Sequence, residues 1–194
     1  MAQRLGLSYS VRDQAIAEMV AGEHPTYKFR RANDVVQGNF FGFPVTAFNY
    51  SGYGEPSGGG KDSDVRHYDG YRYGYVWITL PARLPRLDVT RADALINNWD
   101  RILGWQPVRT ESAAFDRFFN AKTVDDRFAH AVLHPRMMEF LLARNAPAID
   151  IDGDRVILRR SGWFSPEDVW WGIHFLREFV QLIPPFVLRD YALK

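Results

Sequence analysis

Residues 112–144, SAAFDRFFNAKTVDDRFAHAVLHPRMMEFLLAR, carry the densest apolar patterning in the chain. Phe115, Phe119 and Ala121 alternate with polar neighbours, the pattern of a half-buried strand; after Val124 the spacing changes, and Phe128 with Val132, and Ala129 with Leu133, recur at helical intervals. The change falls at Asp125-Asp126, and either carboxylate can accept hydrogen bonds from the free amides of a new helix. Pro135 then opens a second short helix, whose apolar face is Met137, Met138, Phe140, Leu141 and Leu142. The segment predicts strand, helix, bend, helix.

Upstream, Ser10 and Asp13 have the form of a capping box, and Ile16, Met19 and Val20 follow at helical spacing until Gly22. Residues 27–40 and 44–50 are rich in Val, Phe, Thr and Tyr around Gly42, which predicts an antiparallel hairpin. Residues 51–66, SGYGEPSGGGKDSDVR, have little apolar content and predict a flexible loop before a strand over 71–80. Pro81 and Pro85 end that strand, Leu87 to Val89 read as a short edge strand, and a helix carrying Leu95, Trp99 and Ile102 closes at Gly104. Downstream, Ile149, Ile151, Val156 and Leu158 fall on one face of a hairpin turned by Asp152-Gly153-Asp154.

Ser165, Pro166, Glu167 and Asp168 supply the cap, first-turn proline and first-turn carboxylates of the last helix. Val169, Ile173, Leu176, Val180 and Ile183 make one stripe on it; Trp171, Phe175, Phe179 and Leu182 make a second beside it. So wide an arc predicts cover on more than one side: the sheet, and either the second helix of the central segment or another subunit. Pro184-Pro185 stops the helix, leaving an apolar tail over 186–194.

At 194 residues the chain reads as a single domain over 1–194, long enough to bury roughly 70% of its unfolded surface. Cysteine is absent, which excludes disulfides, thiolate metal sites and cysteine nucleophiles and leans towards the cytoplasm. A formal charge of +1 argues against broad electrostatic capture of nucleic acid or acidic membrane. The first residues lack the apolar core of a signal peptide, and no window is apolar enough to span a membrane, so no transmembrane segment is expected.

Candidate chemistry is sparse. The glycine loop ending at Gly60-Lys61 lacks a phosphate loop's first glycine and final hydroxyl, which are Glu55 and Asp62 here. Asp126, His130 and His134, spaced four and four, would lie along one helical stripe, where two imidazoles and a carboxylate could hold a divalent metal; a solvated face with capping residues explains them equally well. No cofactor is expected. Arg30-Arg31 and Arg159-Arg160 sit on strands, where neighbours point to opposite faces, so neither pair is one patch. Tyrosines gather at 50, 53, 68, 71, 73 and 75; exposed together they would suit a protein interface.

Phe115, Phe119, Asp126, Ala129, Leu133, Pro135, Met138 and Leu141, with Gly38, Gly42, Phe48 and Tyr50 upstream, resemble a family of uncharacterised bacterial domains frequent in actinobacteria. The resemblance spans residues 27–184 and rests on apolar and turn positions, so it implies a fold and no chemistry. In those relatives Thr usually precedes the proline where this chain has His134, and some of them are membrane-attached.

The expected fold is α+β: an antiparallel sheet of about five to seven strands with four or five helices packed mainly on one face. The expected function is a non-catalytic binding or assembly module, self-associating or bound to a protein partner, with Tyr53, Tyr71, Tyr73, Trp171, Phe175 and Phe186 in contact. A small metal-dependent hydrolase centred on Asp126, His130 and His134 is the alternative, and a peripheral membrane module the third reading.

Overall fold

The computed structural model describes residues 7–20, 29–53, 70–92 and 104–192. They form seven strands and six helices: β1 (Ser8–Arg12), α1 (Gln14–Met19), β2 (Phe29–Phe40), β3 (Phe43–Tyr53), β4 (Gly70–Arg91), β5 (Gln106–Val108), α2 (Ala113–Phe118), β6 (Phe119–Thr123), α3 (Asp126–Val132), α4 (Pro135–Ala143), β7 (Ala148–Ser161), α5 (Pro166–Leu182) and α6 (Pro185–Asp190). All strands join one antiparallel sheet of order β1-β2-β3-β4-β6-β5, with β7 paired to β4. The α+β class is as expected, with one helix more.

The β4–β7 ribbon is the spine. One strand, β4, pairs with β3 over Gly70 to Ile78 and with β6 over Leu87 to Arg91, while β7 accompanies it from Tyr73 to Val89. Two sequence expectations are corrected here. Pro81 and Pro85 do not end β4, and Asp152-Gly153-Asp154 does not turn a hairpin. Both lie where the register shifts, around the Leu84↔Gly153 pair, and Gly153 takes φ +63°. A bulged ladder does not need the N–H that proline lacks, and it accepts a left-handed glycine. Leu87 to Val89 is accordingly no edge: it lies between β6 and β7.

Alternation along these strands divides two cores. On one face Val76, Ile78 and Leu80 of β4 and Ile149, Ile151, Val156 and Leu158 of β7 meet the buried residues of α2 to α6. On the other, Phe48, Tyr50, Tyr75, Trp77 and Ile157 form a smaller cluster with Ile16 and Ala17 of α1. Helices therefore lie mainly on one face. Within the central segment the first element differs from expectation: Phe115 sits on α2, capped by Ser112, and the strand begins at Phe119. Asp125 caps α3 and His134 caps α4, as their positions predict. At the start, Ser10 belongs to β1 and Asp13 alone caps α1.

The C-terminal segment meets its own chain. Val187 of α6 is buried, the Tyr191 hydroxyl donates to Asp125 Oδ2 at 3.3 Å, and Ala192 bridges to Ala82 beside an Arg83 N–H to Tyr191 carbonyl bond of 2.9 Å. The tail thus serves the stretch of β4 that neither β3 nor β6 reaches. Of the sequence-predicted loop over 51–66, Ser51 to Tyr53 continue β3, and 54–66 lie outside the described residues, as does the helix placed on Leu95, Trp99 and Ile102.

Candidate interaction surface

Helix α5 has three faces, each meeting something different. Its start is fixed by a complete capping box: the Asp168 N–H donates to Ser165 Oγ at 3.2 Å and the Ser165 N–H to Asp168 Oδ2 at 2.9 Å. Gly172, Ile173, Leu176, Phe179 and Val180 face the sheet. The approach is close enough that a β-carbon on Gly172 would lie 3.0 Å from Val76 Cγ2.

The second face meets α4. Phe175 lies 4.9 Å from Phe140, Trp171 stacks on Phe175 at 5.1 Å, and Arg144 reaches Glu178 at 2.6 Å. Phe175 and Phe179 of the second apolar stripe are therefore covered by the chain itself, through one of the two neighbours the sequence allows, while Trp171 stays exposed. Phe175, expected as a contact for a partner, is 1% exposed inside this core.

The third face, Trp170, His174 and Arg177, meets the β2–β3 turn. Phe40 packs edge-on against Trp170 at 5.3 Å, Phe41 against His174 at 5.4 Å, and the Arg177 guanidinium lies 4.0 Å from the Phe41 ring centre. The turn has two residues, Phe41 at φ +53° and Gly42 at φ +86°, and the Gly42 N–H donates to Asn39 Oδ1 at 3.1 Å. Such a turn requires positive φ at both positions, which glycine accepts freely and a bulky side chain resists at about 1–2 kcal/mol. Phe41 is 48% exposed and Trp170 47%. A strained aromatic is thus held at the surface, braced by a cation.

Nearby, the loop before α5 is clamped to the sheet. Asn49 accepts from the Phe164 N–H at 2.7 Å and donates to its carbonyl at 3.2 Å, pressing the Phe164 ring over Gly74, where a β-carbon would come within 2.1 Å of it. Exposed Trp163 stands beside Arg72 at 5.5 Å.

The remaining sequence candidates fall elsewhere. Tyr71 and Tyr73 are half-buried in a ring ladder with fully buried Tyr50 and Tyr75, at centre distances of 5.1–6.4 Å, so these four build the second core and not an exposed edge; Tyr68 lies outside the described residues. Tyr53 is half-buried at the end of β3, and Phe186 is exposed on α6. Asp126, His130 and His134 do not share a helix, because α3 stops at Val132. His130 Nδ1 lies 2.9 Å from the Asp126 carbonyl and Nε2 3.1 Å from that of Arg109, an arrangement in which the charged imidazolium can donate to both. Those carbonyls, Asp126's foremost, raise its pKa against the opposing effect of burial. His134 Nε2 meets the Leu182 carbonyl at 2.9 Å, and its Nδ1 accepts the Met137 N–H at 3.4 Å. Both nitrogens of each imidazole face backbone groups, and among the described residues no three acidic, histidine or cysteine side chains gather as metal ligands.

One cluster escaped the sequence reading. Arg159 Nε lies 2.6 Å from Asp150 Oδ2, and its Nη2 3.0 Å from Asp88 Oδ2. Arg159 and Asp150 stand nine residues apart on one strand, about 30 Å if extended, so the ribbon must double back for them to meet. Asp88 and Asp150 are direct cross-strand partners. Burial, then the Asp150 charge, pushes Asp88 well above the usual carboxylate range; burial also opposes ionisation of Asp150, but Arg159 and a hydrogen bond with Asp88 outweigh it and hold its pKa low. Two aspartates share one guanidinium, which drives their proton affinities apart, Asp88 upward and Asp150 downward.

No protein-family model and no curated protein matches the chain. Among solved structures it is similar to the crystal structure of the mycobacterial trehalose monomycolate transport factor A, with a TM-score of 0.64 and 13% identity over 95% of this chain and 92% of that one. At that identity the likeness establishes a shared fold.

Proposed function

We propose that the chain is a non-catalytic binding or assembly module acting through protein–protein contacts, and that the contacting surface is the third face of α5 with the β2–β3 turn. The observation that carries this reading is Phe41: an exposed aromatic in a backbone conformation that costs energy, propped under Arg177 and continuous with Trp170. Strain kept at a surface position points to use of that surface, and exposed Trp, Phe and Arg side by side are the residue types that anchor protein interfaces. The structural neighbour's name, a transport factor, supports an accessory role. A chain without cysteine suits a cytoplasmic partner.

The test is site-specific photocross-linking in the host cell, with the cross-linking amino acid at Phe41, at Trp170 and at Tyr9 as an exposed control on β1. Cross-links to the same protein from the first two positions and none from the third are expected. Adducts with scattered proteins, or none from Phe41 and Trp170, would refute the reading.

A further inference from the structure

A cleft of about 410 Å³ opens on the other side of α5, between its first turn, the end of β7 and the α4–β7 connection. That volume is at the small end of the roughly 300–1,000 Å³ typical of small-molecule sites. Its polar lining is Arg144, Asn145, Arg160 and Asp168, and its apolar wall is Trp171 with Phe164.

Each polar group is already held in place. Arg160 is fixed by Asp168 at 2.9 Å and lies over the Phe164 ring at 4.9 Å; Arg144 is fixed by Glu178 at 2.6 Å and lies over Phe140 at 5.5 Å. Asn145, at φ +46°, accepts from Arg91 through Oδ1, which turns its amide donors away from that arginine. Trp171 is 39% exposed, with one ring face committed to Phe175.

Charge decides the class of ligand. Each guanidinium carries its own carboxylate, so an incoming phosphate or carboxylate would meet Asp168 and Glu178 at like charge and would have to displace them. A neutral polyol meets no such penalty: guanidinium and amide N–H groups donate to its hydroxyls, the Asp168 carboxylate accepts from them, and the indole suits a C–H face. We infer that this cleft binds a neutral sugar, a mono- or disaccharide unit seated against Trp171 with its hydroxyls on Arg144, Asn145, Arg160 and Asp168. The site is separate from the Phe41 surface, so either reading can fail without the other.

The experiment is an NMR titration of the tryptophan indole signals of the full chain with maltose, trehalose and cellobiose, and separately with inorganic phosphate. A saturable shift of the signal missing from Trp171→Leu is expected with at least one disaccharide, and none with phosphate. Affinity should fall about tenfold in Arg160→Gln and several-fold in Asn145→Gly, as lost hydrogen bonds from charged and neutral donors predict. Asn145→Gly is the safeguard against misfolding, since glycine is at ease at that positive φ. A saturable phosphate shift, no saturable shift with any sugar, or unchanged sugar affinity in Arg160→Gln and Asn145→Gly would overturn the assignment.

Discussion

The two faces of the sheet are held by different physics. On the helix side, side chains from five helices interlock with Val76, Ile78, Leu158 and their neighbours, and stability comes from apolar area removed from water. On the opposite side a tyrosine ladder packs beside a short helix, and the doubled-back ribbon is tied by Arg159 between Asp88 and Asp150. The first face is packed from apolar side chains; the second also holds a guanidinium between two carboxyl groups.

That contrast sets the largest expected effect. Phe175→Asp would place an unpaired charge between α4 and α5, at a cost of at least about 4 kcal/mol, and should unfold the domain by circular dichroism. A soluble folded variant would mean that α5 is loosely seated and that its second face is available to partners after all.

On the other face the two aspartates should respond unequally. Asp150→Asn removes the main counter-charge of Arg159 and should cost about 2 kcal/mol in urea denaturation, less than a fully buried pair because these side chains keep 16–22% exposure. Asp88→Asn imitates the protonated acid already favoured there and should change stability by less than about 0.5 kcal/mol at acid pH. The pH dependence follows with sign. Asp150, with its pKa lowered, contributes stability above about 3.9 that is lost as pH falls through its folded value. Asp88, with its pKa raised, contributes stability at low pH that is lost as pH rises from about 3.9 through its folded value. The stability of Asp88→Asn relative to the parent should therefore grow as pH rises towards neutrality. Parallel pH profiles for the two proteins would show that the carboxylates do not share a proton.

Smaller effects sharpen the comparison at the margins. Phe41→Asn gives the turn an Asn-Gly pair suited to its backbone and loses the Arg177 contact, so stability should hold or rise by about 0.5 kcal/mol while partner binding falls. The raised pKa of His130 contributes stability below about 6.5 that disappears as pH rises through its folded value. His130→Gln should thus lower the melting temperature slightly at acid pH and leave it unchanged in alkali.

How much of this was legible in the sequence follows the same division. The β2–β3 hairpin around Gly42, the caps at Asp125, His134 and Ser165 and the apolar stripes of α3 to α5 are local signals, carried by residues within a turn of one another. The strands through Pro81, Pro85 and Gly153 were hidden because a bulge makes proline and left-handed glycine acceptable where the ladder is interrupted. β1 is exposed along its whole length and offered no pattern to read. The Arg159 cluster was illegible in principle, since only the doubling of the ribbon brings Asp150 and Asp88 within its reach. Phe41 left one weak trace: a two-residue turn before Pro44 with Phe where Asn is the common choice.

The claim that matters most is that the Phe41–Trp170 surface is covered by another protein in the cell while the tyrosine face is covered by the chain itself. Oxidative footprinting of aromatic and methionine side chains, in host cells and on the purified chain, addresses it directly. The account predicts that Phe41 and Trp170 react in the purified chain and are protected in cells, that Tyr9 and Met19 react in both, and that Tyr50 and Tyr75 react in neither. Equal reactivity of Phe41 and Trp170 in cells and in isolation would contradict it.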